Sequence, residues 1–185
     1  LFKEIEYGAT CIKNKKLTTI YIGGGTPTAL NEEMLEALLT KVRECFDFTY
    51  VREFTVEAGR PDSITREKLE IMKKMGVTRI SINPQTMKDK TLELIGRKHS
   101  ASQVKDAFLL ARETGHDNIN MDLIVGLPEE TLEDVKATLE EIKALNPDSI
   151  TIHSLVTKRA ARMNIQKEED ATQDVDSMSD YGYEF

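Results

Sequence analysis

Three consecutive glycines followed by Thr26, Pro27 and Thr28, and two carboxylates set in β-rich runs, Glu57 and Asp122, are the residues best placed to do chemistry. The run Gly23-Gly24-Gly25 lets backbone approach a ligand closely and leaves N–H and C=O groups free to bond it. It is not a dinucleotide fingerprint, because G-x-G-x-x-G fails at Pro27-Thr28, and it is not a P-loop, because no Gly-Lys-Ser/Thr follows. An unpaired carboxylate is costly to bury, so Glu57 and Asp122 either face a ligand or are paired by structural partners such as Arg79 or Arg97. Facing a ligand, they would accept hydrogen bonds from ribose hydroxyls or an ammonium group. His153 reads as a core or rim residue, and His99 and His116 as loop residues. Cys11 and Cys45 stand 34 positions apart, match no metal spacing and read as half-buried helix thiols.

These residues need a scaffold, and five β-rich runs alternate with helical segments to supply one. Strands are predicted at Thr18–Ile22, Glu53–Glu57, Arg79–Asn83, Ile119–Val125 and Ser149–Leu155. Leu1, Ile5, Ala9 and Ile12 put one apolar face on an opening helix. Asn31, Thr65, Ser102 and Thr131 are the predicted openings of four more, with Gly76, Gly115 and Asn146-Pro147 as stops. Alternation with short connections implies parallel βαβ units, hence an α/β fold. The strands pair polar with apolar positions: Thr55 and Glu57 against Phe54 and Val56, Ser81 and Asn83 against Ile80 and Ile82, Asn120 and Asp122 against Ile119 and Met121, Thr151 and His153 against Ile150 and Ile152. Sheets covered on both faces read as continuous apolar runs, so a persistently polar face favours a barrel or partial barrel over an open doubly wound sheet. Glycines and polar groups collect after the strands, at Gly23–Thr28, Glu57–Pro61, Asn83–Gln85 and Gly126–Pro128, where parallel α/β folds bind ligands.

Net charge separates two regions. Of the formal charge of −7, the stretch 165–185 carries −6, since seven acids there face Lys167 alone, and residues 1–164 carry about −1. The body therefore has no basic stripe for phosphates, which argues against nucleic acid as a partner. No apolar run approaches the ~18–20 residues that span a bilayer, so no membrane span is expected, and the cysteine usage fits a reducing cytoplasm. The predicted division is a core over 1–164 and an acidic, disordered tail over 165–185. Because the βα repeat opens on a helix without an initiator Met, a further strand is expected upstream of Leu1.

At Tyr21-Ile22-Gly23-Gly24-Gly25-Thr26-Pro27-Thr28 the sequence resembles the radical SAM superfamily, and specifically its oxygen-independent coproporphyrinogen III dehydrogenase branch. The likeness continues in order through Phe54–Asp62, Arg79–Thr86, Ile95–His99, Asn120–Pro128 and Leu145–Asp148, over about residues 1–167. The Glu57-Ala58-Gly59-Arg60-Pro61 and Ile82-Asn83-Pro84-Gln85-Thr86 variants look most like the Firmicutes subgroup. The resemblance implies a partial (βα)6 TIM-like barrel, here with five of six strands. S-adenosylmethionine (SAM) and a [4Fe–4S] cluster share its cavity. Carried across by position, Gly24, Gly25, Thr26, Glu57, Gln85, Arg97, Asp122 and Val156 would bind SAM. The implied chemistry is reductive SAM cleavage to a 5′-deoxyadenosyl radical, which abstracts hydrogen from a porphyrinogen propionate that loses CO2 to become a vinyl group. A flavodoxin- or ferredoxin-type reductant would feed the cluster. The family's C-x-x-x-C-x-x-C loop does not occur, so no catalytic residue and no metal ligand is assigned. The cluster cysteines are expected upstream of Leu1, and the chain alone is expected to be inactive. One branch of the superfamily binds and delivers haem, which is the alternative function.

Overall fold

Alternating apolar positions build every predicted strand. The computed structural model describes residues 1–12 and 15–155. In it α1 (Phe2–Cys11), β1 (Thr19–Ile22), α2 (Glu32–Cys45), β2 (Glu53–Ala58), α3 (Arg66–Lys74), β3 (Arg79–Gln85), α4 (Asp89–Leu94), α5 (Ala101–Glu113), β4 (Ile119–Val125), α6 (Leu132–Leu145) and β5 (Ser149–Ser154) follow in order. The strands form one sheet in the order β1-β2-β3-β4-β5, each parallel to its neighbours. Phe54, Val56, Ile80, Ile82, Ile119, Met121 and Leu123 face a helical layer led by Leu35, Leu39, Leu69, Met72, Val104, Phe108 and Ile142. Burying each large side chain contributes about 1.5–3 kcal/mol, so this one-sided core decides which face of the sheet the helices cover. With helices on the apolar face only, the fold is a partial TIM-like barrel with a polar concave side.

Local chemistry explains the helix ends. Asn31, Thr65 and Thr131 each accept a backbone N–H as N-caps, and Thr131 forms a reciprocal capping box with Asp134. The third predicted opening moves from Ser102 to Ser100, because Gln103 completes a capping box with Ser100 and the helix starts at Ala101. The short helix α4 was not predicted, since six residues hold too little periodicity to register.

Three other expectations change. β3 runs past Asn83 to Gln85, with pairing that jumps from Ile82 opposite Met121 to Gln85 opposite Leu123. Pro84 has no N–H for the ladder, so the strand bulges there and Gln85 takes φ 71°. Ile150 and Ile152 are 37% and 44% exposed, because among the described residues no helix covers the outer side of edge strand β5. Cys11 is exposed on α1, which buries none of its residues, whereas Cys45 is half-buried as expected. Val156 and the predicted acidic tail lie outside the described residues.

Candidate functional site

The polar face of the sheet is a hydrogen-bonded floor. Asn120 Nδ2 donates to Ser81 Oγ at 2.9 Å and also to Asp122 Oδ1, while Asn120 Oδ1 accepts from Ser149 at 2.8 Å and Thr151 at 3.1 Å. Ser81 Oγ donates to Asn83 Oδ1 at 3.0 Å, and Asn83 Nδ2 donates to Glu57 Oε1 at 2.8 Å. The chain of bonds thus crosses β2, β3, β4 and β5. Ser81, Asn83 and Asn120 are buried, so the floor itself is dry and its bonds satisfy groups that would otherwise be expensive to desolvate.

At the C-terminal end of β2 the network ends on a carboxylate. Glu57 Oε2 accepts the Gly24 N–H at 3.3 Å, and the Tyr21 phenol hydrogen-bonds the same carboxylate. Partial burial raises the Tyr21 pKa first, and the charges of Glu57 and Asp122 raise it further, so the phenol stays protonated as a donor. Two glycines make this packing possible. A Cβ on Gly23 would lie 2.4 Å from Tyr21 Cε1 and 2.7 Å from Glu57 Oε2, and one on Gly59 would lie 3.2 Å from Asn83 Nδ2. Gly24 holds φ 104°, a backbone state other residues rarely adopt. Among the described residues neither Glu57 nor Asp122 forms a salt bridge, so neither Arg79 nor Arg97 neutralises them. Both accept from neutral donors, an arrangement that leaves carboxylate oxygens able to accept further hydrogen bonds.

Buried cation chemistry sets the loops around that carboxylate. Lys68 is 8% exposed, and its Nζ donates to the carbonyls of Thr28 at 2.8 Å and Ser63 at 3.2 Å. Thr28 and Ser63 hydroxyls meet at 2.6 Å. The turn after β1 (Pro27–Ala29) and the turn after β2 (Pro61–Ser63) are therefore tied to one ammonium on α3. Gly25 is exposed and Thr26 half-buried beside this clamp.

The other predicted site residues lie on the neighbouring rim. Gln85 is buried at the bulged end of β3, and among the described residues its side chain makes no hydrogen bond. Arg97 lines a cavity of about 530 Å³ with Arg60, Asp62, Ile95, Gly96, Lys98 and His99. His99 and His116 occupy loops, as expected, yet are only 4% and 3% exposed. His99 Nε2 donates to the Pro84 carbonyl at 3.3 Å, which fixes the loop carrying Arg97 against the bulge before Gln85. Burial pushes the pKa values of both histidines down, which leaves each ring neutral and able to donate through one nitrogen. His153 is exposed on β5.

Residues 2–142 match the family model of the radical SAM superfamily. The chain belongs to the radical SAM superfamily. It is 46% identical over 153 residues to the oxygen-independent coproporphyrinogen-III oxidase-like protein HemZ of Bacillus subtilis, covering 82% of this chain and 30% of HemZ. It is 41% identical over 143 residues to the heme chaperone HemW of the same organism, covering 77% of this chain and 38% of HemW. The solved structure of coproporphyrinogen III oxidase HemN from Escherichia coli superposes with a TM-score of 0.79 at 28% identity, covering 90% of this chain and 38% of that one. The chain thus spans about a third of the length of these relatives.

Radical SAM proteins use S-adenosylmethionine and a [4Fe–4S] cluster. The site fits the first: an uncompensated Glu57 carboxylate, the open backbone of the glycine loop and the unpartnered Gln85 amide offer acceptors and donors for a nucleoside and an amino acid. It does not fit the second. Among the described residues no group of three or more His, Cys, Asp or Glu side chains could hold a metal, and Cys11 and Cys45 sit on separate helices.

Tyr21, Asn83, Asn120 and Lys68 are the contributors that sequence reasoning did not single out as site residues. Strand parity put Asn83 and Asn120 on the polar face with Glu57 and Asp122 but gave them no role in the site. Lys68 had no such signal, because a lysine in the first turns of an amphipathic helix reads as solvated.

Proposed function

We propose that this chain is the SAM-binding part of an oxygen-independent coproporphyrinogen III oxidase-type enzyme. In that reading Gly24, Gly25, Thr26, Glu57, Gln85, Arg97 and Asp122 make the cofactor surface. Glu57 accepts from the ribose hydroxyls or ammonium, and the Gly24–Thr26 backbone bonds the methionyl part. When bound and reduced by one electron from an external donor, SAM would supply a carbon-centred radical that takes up a hydrogen atom. Each substrate propionate would lose one hydrogen atom to that radical, one electron to an external one-electron acceptor, and CO2, leaving a vinyl group. In this reading the residues of this chain hold and orient the cofactor, and the hydrogen bond from the buried Asn83 amide fixes the Glu57 carboxylate. The observation that supports this reading over others is the 46% identity to HemZ across most of the chain.

A second reading is haem binding and delivery, supported by the 41% identity to HemW. The two separate in one experiment on the full-length gene product, with its cluster reconstituted under anaerobic conditions. SAM cleavage with CO2 release from coproporphyrinogen III is the expected result. Tight haem binding without decarboxylation would replace the oxidase reading with the delivery one.

A further inference from the structure

The polar floor has a direction as well as a pattern. Two of its ends are the carboxylates, which accept: Glu57 Oε1 from Asn83 Nδ2 at 2.8 Å, and Asp122 Oδ1 from Asn120 Nδ2. A third end is Arg79, whose guanidinium has donors only and gives one to Ser149 Oγ at 3.4 Å. Every group between these ends then has one consistent orientation. With its nitrogen on Glu57, Asn83 turns Oδ1 to the Ser81 hydroxyl, which donates to it at 3.0 Å and accepts in turn from Asn120 Nδ2 at 2.9 Å. Ser149 accepts from Arg79 and passes its own hydrogen to Asn120 Oδ1 at 2.8 Å, where Thr151 also donates at 3.1 Å. A run that ends on an acceptor at both Glu57 and Asp122 needs one member that donates both ways. A hydroxyl has a single hydrogen, whereas the Asn120 amide has two and commits one to each branch. Asn120 and Ser81 are each 2% exposed, which leaves a ligand almost no surface to touch, and Asn120 lies two strands away from Glu57.

We propose that Asn120 is a positioning residue that acts on Glu57 and Asp122 together. Hydroxyls of β5 hold its oxygen, and its nitrogen supplies Asp122 directly and Glu57 through Ser81 and Asn83. An acceptor in place of that nitrogen reverses the second branch: Ser81 turns its hydrogen toward position 120, the Asn83 oxygen loses its donor, and the amide that fixes Glu57 is free to turn. That Glu57 and Asp122 face SAM rests on the proposed function; the direction of the network does not.

The test uses the full-length protein and two readouts: SAM affinity by calorimetry, and the side-chain amide resonances of Asn83 by NMR in the absence of ligand. Asn120→Asp keeps the shape and turns the double donor into an acceptor, while Ser81→Ala cuts the branch between Asn120 and Asn83. Both should move the Asn83 amide protons from their wild-type positions. SAM affinity should fall about tenfold in Asn120→Asp, which disturbs both carboxylates, and about threefold in Ser81→Ala, which disturbs one. The double variant should bind no more weakly than Asn120→Asp, because the branch to Glu57 can be broken only once. Losses that multiply in the double variant overturn the role, as do Asn83 resonances left in place by Asn120→Asp in protein with unaltered circular dichroism. If Asn120→Asp does not fold, Asn120→Ala removes the donor without adding an acceptor, and the same shift of the Asn83 resonances is expected or its absence overturns the role. Failure of wild type to bind SAM instead overturns the cofactor reading, and the Asn83 resonances still test what Asn120 does.

Discussion

Two polar regions share the C-terminal rim of this sheet and are built on opposite terms. Around Glu57 the protein supplies the partners: an amide from Asn83, a backbone N–H from Gly24 and a phenol from Tyr21, all uncharged. Around Arg97 it gathers two more cations, Arg60 and Lys98, with the single carboxylate Asp62. The first region is held in place before any ligand arrives, because its donors are fixed by strands and by the Lys68 clamp. In the second, Arg60, Asp62 and Lys98 are exposed and among the described residues no hydrogen bond or ion pair fixes their side chains. The comparison teaches that polarity alone does not mark a binding site. What marks it is whether the fold leaves hydrogen-bonding or charge demand unmet.

The largest effect should come from the preorganised side. Glu57→Gln keeps the shape and removes the charge, and SAM binding measured by calorimetry should weaken by about 10- to 100-fold, the range for a hydrogen bond to a charged group. Arg97→Gln on the second region should weaken the same binding less, by about 3- to 10-fold. Equal losses from the two substitutions would mean that the regions act as one.

A smaller loss is expected from Gly23→Ala. The new methyl would strike Tyr21 and Glu57, so the carboxylate shifts without losing charge. SAM binding should fall by about 3- to 10-fold, with little change in the thermal midpoint, because Gly23 is exposed. A drop in stability as large as the drop in binding would mean that the loop matters to the fold rather than to the ligand.

The smallest effect is a pH dependence of stability. His99 and His116 fold with pKa values below the ordinary 6.5, so the unfolded chain binds more protons than the folded one once the pH drops below that value. Their contribution is complete above about pH 6.5 and is lost as pH falls toward their folded values. Stability from denaturant unfolding should decline between about pH 7.5 and about pH 5.5, by no more than about 1.4 kcal/mol per histidine, and His99→Gln should flatten part of that slope. If SAM affinity follows the same slope, the His99 to Pro84 bond couples the loop carrying Arg97 to the cofactor side; if it does not, the two regions titrate apart.

Sequence alone determined the alternation of strands and helices, the α/β class, the polar face and the six ordered motifs that mark the superfamily. These rest on side-chain period and on local capping, which neighbours in the chain decide. It also placed Glu57 and the glycine loop at strand ends and Asp122 within a strand. What it left open was whether the two carboxylates face a ligand or are paired by arginine. Only tertiary structure showed that no arginine among the described residues pairs with either, because the donors to Glu57 come from residues 26 and 33 positions away and are neutral, while Asp122 accepts from the Asn120 amide. The same holds for the bulge at Pro84, the buried Lys68 and the unpaired Arg60. Each depends on which loops the sheet brings together, and a pairwise distance across the rim has no signature in the spacing of residues along the chain.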